Sequence, residues 1–222
     1  HANRPTETIY KFNDESPIVL QSYHYDELGR VRSRHIHNGI DSVAFCYDIR
    51  NQITQIKSSN YEQKYYYNQT CPIGNGTAMP TYNGNVSATT WTYGNKTNGH
   101  MYYYDKMDRL VSNYSILNGS LNAEYLCSER FSYDAHGNIT NLMRWDNQDQ
   151  MDNVYFTYHG NQLSRADDEY DLYSYSAKQY LNNNILGDDF AYDANGNMIY
   201  DQDRCIAAIR YDLLNLPDTI QF

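Results

Sequence analysis

Large aliphatic residues are scarce in this chain. Leu, Ile, Val and Phe make up 41 of its 222 residues, and the net charge is −10. A share of about 18% beside a charge of that size is the composition of a disordered chain. Positive charge is in deficit too, with 17 Lys and Arg against 27 Asp and Glu. That excludes the basic stripe that a nucleic-acid binder needs and does not suit an anionic membrane surface. Long hydrophobic runs are missing. The longest apolar stretch, Cys205–Ile209, is far too short to span a bilayer. Cysteine is sparse, and Cys46, Cys71, Cys127 and Cys205 include no close pair, so the usual zinc spacing is not encoded. An even count permits two disulfides in an exported chain. The plainer reading is four separate buried thiols, because a free Cys packs as a small hydrophobe. The chain opens at His1 without an apolar leader and reads as a piece of something longer.

Tyrosine argues against disorder. There are 25 Tyr beside 6 Phe and 2 Trp. An aromatic ring buries a large area while the phenol keeps a polar partner. Any core must therefore be built on tyrosine.

An internal repeat orders these tyrosines. Phe131-Ser132-Tyr133-Asp134-Ala135-His136-Gly137-Asn138-Ile139 matches Phe190-Ala191-Tyr192-Asp193-Ala194-Asn195-Gly196-Asn197-Met198. Tyr25-Asp26 with Gly29, Tyr47-Asp48 with Asn51, and Tyr104-Asp105 with Asp108 keep the same frame. Tyr211-Asp212 with Asn215 is a frayed copy, and Tyr158 with Gly160 a shortened one. The pattern is aromatic-x-Tyr-Asp-x-x-Gly-Asn-apolar. Copies fall near 23–36, 45–58, 102–113, 131–143, 156–166, 190–201 and 209–220, with an irregular insert over about 68–100.

The pattern has the physics of a hairpin. Residues i and i+2 share one face of a strand. The Asp carboxylate can fold back onto turn amides. Gly, and after it Asn or Asp, tolerates the positive φ of a tight turn. The spacing predicts an all-β chain: a single array of antiparallel hairpins forming a curved or spiralling open strip. No convincing amphipathic helix is present, the nearest candidates being Ala177–Leu186 and Cys205–Ile209.

These residues resemble the YD repeats of RHS-repeat proteins. The stretch from Tyr25-Asp26 through Tyr47-Asp48, then Tyr65–Asn68 and Tyr82-Asn83-Gly84-Asn85-Val86 with Trp91, is similar to the RHS proteins of Bacteroidetes. The resemblance covers nearly the whole chain. It implies a large bacterial protein, secreted or at the cell surface, whose repeats spiral into a hollow shell. Such shells can encapsulate a C-terminal toxin, while the related teneurins are adhesion molecules and YD repeats have been associated with carbohydrate binding. The chain departs from the family by lacking the autoproteolytic Asp-Pro-Leu/Ile-Gly-type segment, and no toxin domain follows Phe222. An open strip rather than a closed cocoon is expected.

Other chemistry is thinly represented. His35-x-His37 would place two imidazoles on one strand face, but no third metal ligand suggests itself. The acidic stretches Asp146–Asp152 and Asp167–Asp171 lack the pattern of a calcium loop and read as solvated hairpin tips. No GxSxG elbow, HExxH or phosphate-binding Gly loop occurs. A residue that recurs in every repeat is a structural part, so the repeated Asp is turn chemistry and not a catalytic group. No cofactor, metal site or catalytic residue is assigned. Tyr82, Trp91 and Tyr93, in the irregular stretch, are the candidates for stacking on a sugar ring, against the alternative that such aromatics pack the sheet.

Three functions compete. The first is a non-catalytic shell segment that encloses or presents an effector and has the rest of its own polypeptide as partner. The second is a glycan-binding or adhesion module. The third, with the least support, is a glycoside hydrolase. Open strand edges also predict self-association.

Overall fold

The computed structural model describes residues 3–73, 78–121, 127–146, 149–169, 180 and 187–222. Every helix or strand element among them is a β-strand, as the repeat predicts. The helix candidate at 177–186 lies outside the described residues except for Tyr180, and Cys205–Ile209 is a turn leading into a strand. The chain divides into two compact units, His1–Tyr103 with Ser115–Asn122, and Tyr104–Tyr114 with Ala123–Phe222.

The first unit carries β1 (Glu7–Tyr10), β2 (Ile18–Tyr25), β3 (Val31–Ile36), β4 (Asp41–Tyr47) and β5 (Ile53–Lys57). β6 (Tyr61–Tyr66), β7 (Ala88–Tyr93) and most of β8 (Lys96–Tyr104) follow. Each pairs antiparallel with the next, from β1 to β8. Within the 68–100 stretch, residues from Ala88 on form the β7–β8 hairpin. β9 (Leu110–Leu117) is shared between the units, and its last residues pair with β10 (Ser120–Leu121) in the first.

In the second unit the start of β9 pairs with β11 (Glu129–Tyr133). β12 (Ile139–Asp146), β13 (Asp149–His159) and β14 (Gln162–Asp168) continue that ladder. Two further hairpins are β15 (Phe190–Tyr192) with β16 (Met198–Asp201), and β17 (Ala208–Tyr211) with β18 (Pro217–Gln221).

Six of the hairpins close on the same turn. The Asp N–H donates to the carbonyl four residues on, and the residue three on donates its N–H to the Asp carbonyl, at 2.9–3.3 Å. The third residue is left-handed in every copy: Gly29 (φ 79°), Asn51 (66°), Asp108 (62°), Gly137 (93°), Gly196 (86°) and Asn215 (59°). This is a type I turn followed by a G1 bulge. Beyond the turn a separate register shift falls just before Tyr25, Tyr47, Tyr133, Tyr192 and Tyr211, and also before Tyr158 in the shortened copy. Gly160, in the shortened copy, opens a two-residue loop in which it alone has positive φ, as a type II′ turn requires.

Little of the chain is fully buried. In the first unit Cys71, Ala78, Ala88, Met101 and Ile116 form a small core flanked by Tyr66, Ile73 and Tyr103. In the second, Val154, Ala166 and Phe190 do so with Phe156, Leu163, Tyr180, Tyr192 and Met198. The accessible surface is 14902 Å², against roughly 10,500 Å² for a compact protein of this mass. Most aromatic side chains therefore stay half-buried.

Candidate functional site

Strand pairing brings two of the three sugar-stacking candidates together. Trp91 and Tyr93 are i and i+2 on β7 and share a face. Across the ladder Trp91 meets Gln63 and Asn98, and Tyr93 meets Tyr61 and Lys96. The Trp91 ring lies 5.4 Å from that of His100, which lies 6.3 Å from Tyr102. The Tyr61 phenol donates to Gln63 at 3.0 Å. Burial holds the neighbouring Tyr65 phenol above its usual pKa, with Tyr61 and Tyr102 adding to the shift. Tyr93 is 70% exposed, so the platform is open to solvent. Tyr82 belongs elsewhere. Its carbonyl accepts from the Arg50 guanidinium at 3.1 Å, which ties it to the turn between β4 and β5. Tyr93 sits at the opposite end of the strands, separated from that turn by roughly 17 Å of β6 at about 3.4 Å per residue, and Trp91 by roughly 10 Å.

The repeat residues do a different job, and its full extent does not show in the motif. Four of the repeat tyrosines, and Tyr67 besides, reach back to the hairpin before them. The Tyr47 hydroxyl donates to the Val31 carbonyl at 3.0 Å, and Tyr67 to Ile53 at 2.9 Å. In the second unit Tyr133 donates to Leu110 at 2.6 Å, Tyr158 to Ile139 at 2.8 Å and Tyr211 to Met198 at 2.7 Å. The acceptor is always the apolar residue that opens the preceding return strand. Burial raises the pKa of Tyr67, Tyr133 and Tyr158, as a phenol packed between strands requires. Tyr67, followed by Asn68 rather than Asp, does the work of a repeat tyrosine without the repeat signature.

The Asp carboxylate stays within its own turn. Asp134 accepts from the amides of His136 and Asn138 at 2.8 and 2.9 Å, and Asp193 from Asn195 and Asn197 at 2.9 Å each. The Asn138 and Asn197 side-chain amides, with the turn N–H groups, hold those two carboxyls below the ordinary value. For Asp26 and Asp105 the leading cause is the backbone N–H of Arg30 and Arg109.

A third repeat position, Asn in the full motif and variable in the other copies, acts as a clip: the residue four after the Asp. Arg30 binds the Asp26 carboxylate at 2.6 Å, stacks 4.6 Å over the Tyr47 ring and donates to Asn51 at 2.9 Å in the next turn. Arg109 binds Asp105 at 2.7 Å, stacks 4.6 Å over Tyr133 and donates to the Asp134 carbonyl at 2.9 Å. Asn138 spans Asp134 and Asn161, and Asn197 spans Asp193 and Asn215. Arg and Asn thus share one role at this place, a donor long enough to reach both neighbours, whereas Gln52 donates to the Gly84 carbonyl at 3.2 Å and the last copy has Leu216.

Other candidates from the sequence resolve into structural pairs. Asp152 is fully buried rather than at a solvated tip. It accepts from Arg144 and from the Tyr180 N–H, both at 2.6 Å. Asp201, also buried, pairs with Arg204 at 2.6 Å, and Asp203 accepts the Tyr180 hydroxyl at 2.5 Å. Burial followed by the Asp203 hydrogen bond pushes the Tyr180 phenol strongly up. His37 leaves the strand for the β3–β4 turn (φ 46°), so it does not share a strand face with His35. Among the described residues no group of three or more His, Cys, Asp or Glu is placed to hold a metal. None of the four cysteines is in a disulfide, and only Cys71 is buried, which corrects the expectation of four buried ones.

A ladder of hairpins bound turn to turn can be compared with known folds. The chain is similar in fold to the crystal structure of TcdB2–TccC3–Cdc42. The TM-score is 0.62 at 13% identity, over 98% of this chain and 10% of that one. This chain therefore spans about a tenth of the length of the protein it matches. A Tc holotoxin pore from Photorhabdus luminescens also aligns, at a TM-score of 0.26 and 9% identity over 96% of this chain and 16% of that one. No family model and no curated protein sequence matches. The likeness is one of fold alone, shared with part of a much longer chain.

Proposed function

We propose that this chain is a non-catalytic structural stretch of an exported, RHS-like YD-repeat shell that encloses or presents an effector carried by the same polypeptide. The observation that carries this reading is the clip-and-tyrosine ladder. Tyr47, Tyr133, Tyr158 and Tyr211, the turn aspartates and the clips Arg30, Arg109, Asn138 and Asn197 are spent on their own turn and its neighbour, which is the work of a wall. The fold likeness to part of the TcdB2–TccC3–Cdc42 structure supports a shell segment and an extracellular setting. Limited proteolysis of the full polypeptide tests enclosure. The effector should stay uncut until denaturant melts the array. Cleavage at one rate whether the array is folded or melted would overturn it.

The aromatic face of β6–β8 favours a second reading, a surface module that stacks a sugar ring on Trp91 and Tyr93 with Asn98 and Gln63 as polar partners. A glycan array run beside Trp91→Ala separates the two. Binding that disappears in the variant supports the module, and silence leaves the shell.

A further inference from the structure

The first residues of the chain repeat, in part, the contacts of a YD turn. Asn3 has φ 37°, in the left-handed region, one place ahead of Arg4. The Arg4 guanidinium lies 5.7 Å over the Tyr25 ring, as Arg30 lies over Tyr47. Arg4 also packs flat on Gly29, the left-handed residue of the next turn: a Cβ built there would fall 2.0 Å from Cζ. Arg30 meets the equivalent Asn51 through a hydrogen bond to its Oδ1 at 2.9 Å. The Tyr25 hydroxyl donates to the Pro5 carbonyl at 2.7 Å, the counterpart of Tyr47 on Val31. Pairing with β2 then begins, with the Tyr23 N–H on the Thr6 carbonyl at 2.8 Å. Position by position, Asn3, Arg4 and Pro5 stand where Gly29, Arg30 and Val31 stand one repeat later.

The geometry points to Asn3–Arg4–Pro5 and the outer edge of β1 as a docking edge for one more repeat arm, a β-strand ending in Tyr-Asp. Its carboxylate binds Arg4 as Asp26 binds Arg30, and its backbone pairs with β1. The spacing of the other turns, Asp-x-x-Asn-Arg, puts that Asp directly ahead of His1. β1 is exposed along its whole length, with Ile9 and Tyr10 52% and 49% accessible, which is what an arm laid beside it would cover. The inference rests on turn geometry and not on what the array encloses.

The test is the chain extended ahead of His1 by Phe-Ser-Tyr-Asp, the arm found at residues 131–134, compared with an extension by Phe-Ser-Tyr-Ala. The Asp form should melt about 2–4 °C higher than the Ala form, and amides of Glu7–Tyr10 should exchange more slowly in it. Arg4→Ala in the extended chain should abolish the difference. Equal melting of the two forms with unchanged β1 exchange overturns the proposal, as does a gain that survives Arg4→Ala. Either failure leaves the shell reading standing, since that reading turns on protease protection of the effector.

Discussion

A tyrosine hydroxyl is the smallest part on which the ladder depends. Tyr133 delivers its proton to the Leu110 carbonyl while Arg109 stacks on its ring. Tyr133→Phe keeps the ring and the stack and removes only the hydrogen bond. The expected loss is about 0.5–1.5 kcal/mol, read as a shift in the denaturant midpoint, and an unmoved midpoint would show that the ladder bond carries no net stability. The carboxylates give a pH signature. Asp26, Asp105, Asp134 and Asp193 all have their pKa lowered from 3.8. A group lowered on folding stabilises above its unfolded value, and that contribution is lost as pH falls through the lowered folded value. Acid unfolding should therefore steepen below about pH 4. In the double variant Asp134→Asn with Asp193→Asn the acid limb should flatten, and an identical limb would contradict the assignment.

At the scale of the element, two glycines separate two kinds of constraint. Gly137 has φ 93°, and a Cβ placed on it meets nothing within 4 Å. Its cost on substitution is conformational alone, so Gly137→Val should destabilise by about 1–2 kcal/mol. Gly99 on β8 has no left-handed φ, yet its Cβ would fall 2.2 Å from the Thr89 carbonyl oxygen on β7. Backbone cannot yield there without opening the β7–β8 pairing. Gly99→Ala should therefore cost more stability than Gly137→Ala, and thermal melts of the two variants rank them directly. The reverse order would mean that the strands part easily and that the turn is the stiffer element.

For the molecule as a whole, the decisive fact is how little is buried. Ile9, Tyr10 and Phe12 are exposed at the first strand, and Leu213, Leu214, Leu216 and Phe222 at the last hairpin. Apolar groups on open edges pair with other copies. The chain on its own should associate with rising concentration, as light scattering would show, and Ile9→Lys should weaken that association. A monomer at every concentration, in both forms, would mean that the edges are blunted.

The hairpins were legible in the sequence because their cause is local. A turn with Asp at its head and Gly, Asn or Asp three places on closes within five residues, so period and composition suffice to place β2–β3, β4–β5, β11–β12, β15–β16 and β17–β18 and to make the chain all-β. The role of the tyrosines as rungs between hairpins was not legible, because a rung's acceptor is a backbone carbonyl some 13 to 23 residues away with no side-chain signature. The clip was hidden for a related reason, since Arg and Asn serve one geometry and only its two ends define it. The same holds for the aromatic face. Trp91 and Tyr93 come together with Tyr61 through the register of three strands, while Tyr82, near them in sequence, is drawn by Arg50 to another turn. Local backbone preference determined which segments fold into hairpins. Which hairpin binds which, and which rings share a face, was decided by long-range hydrogen bonding, because those partners meet only once the strands have paired.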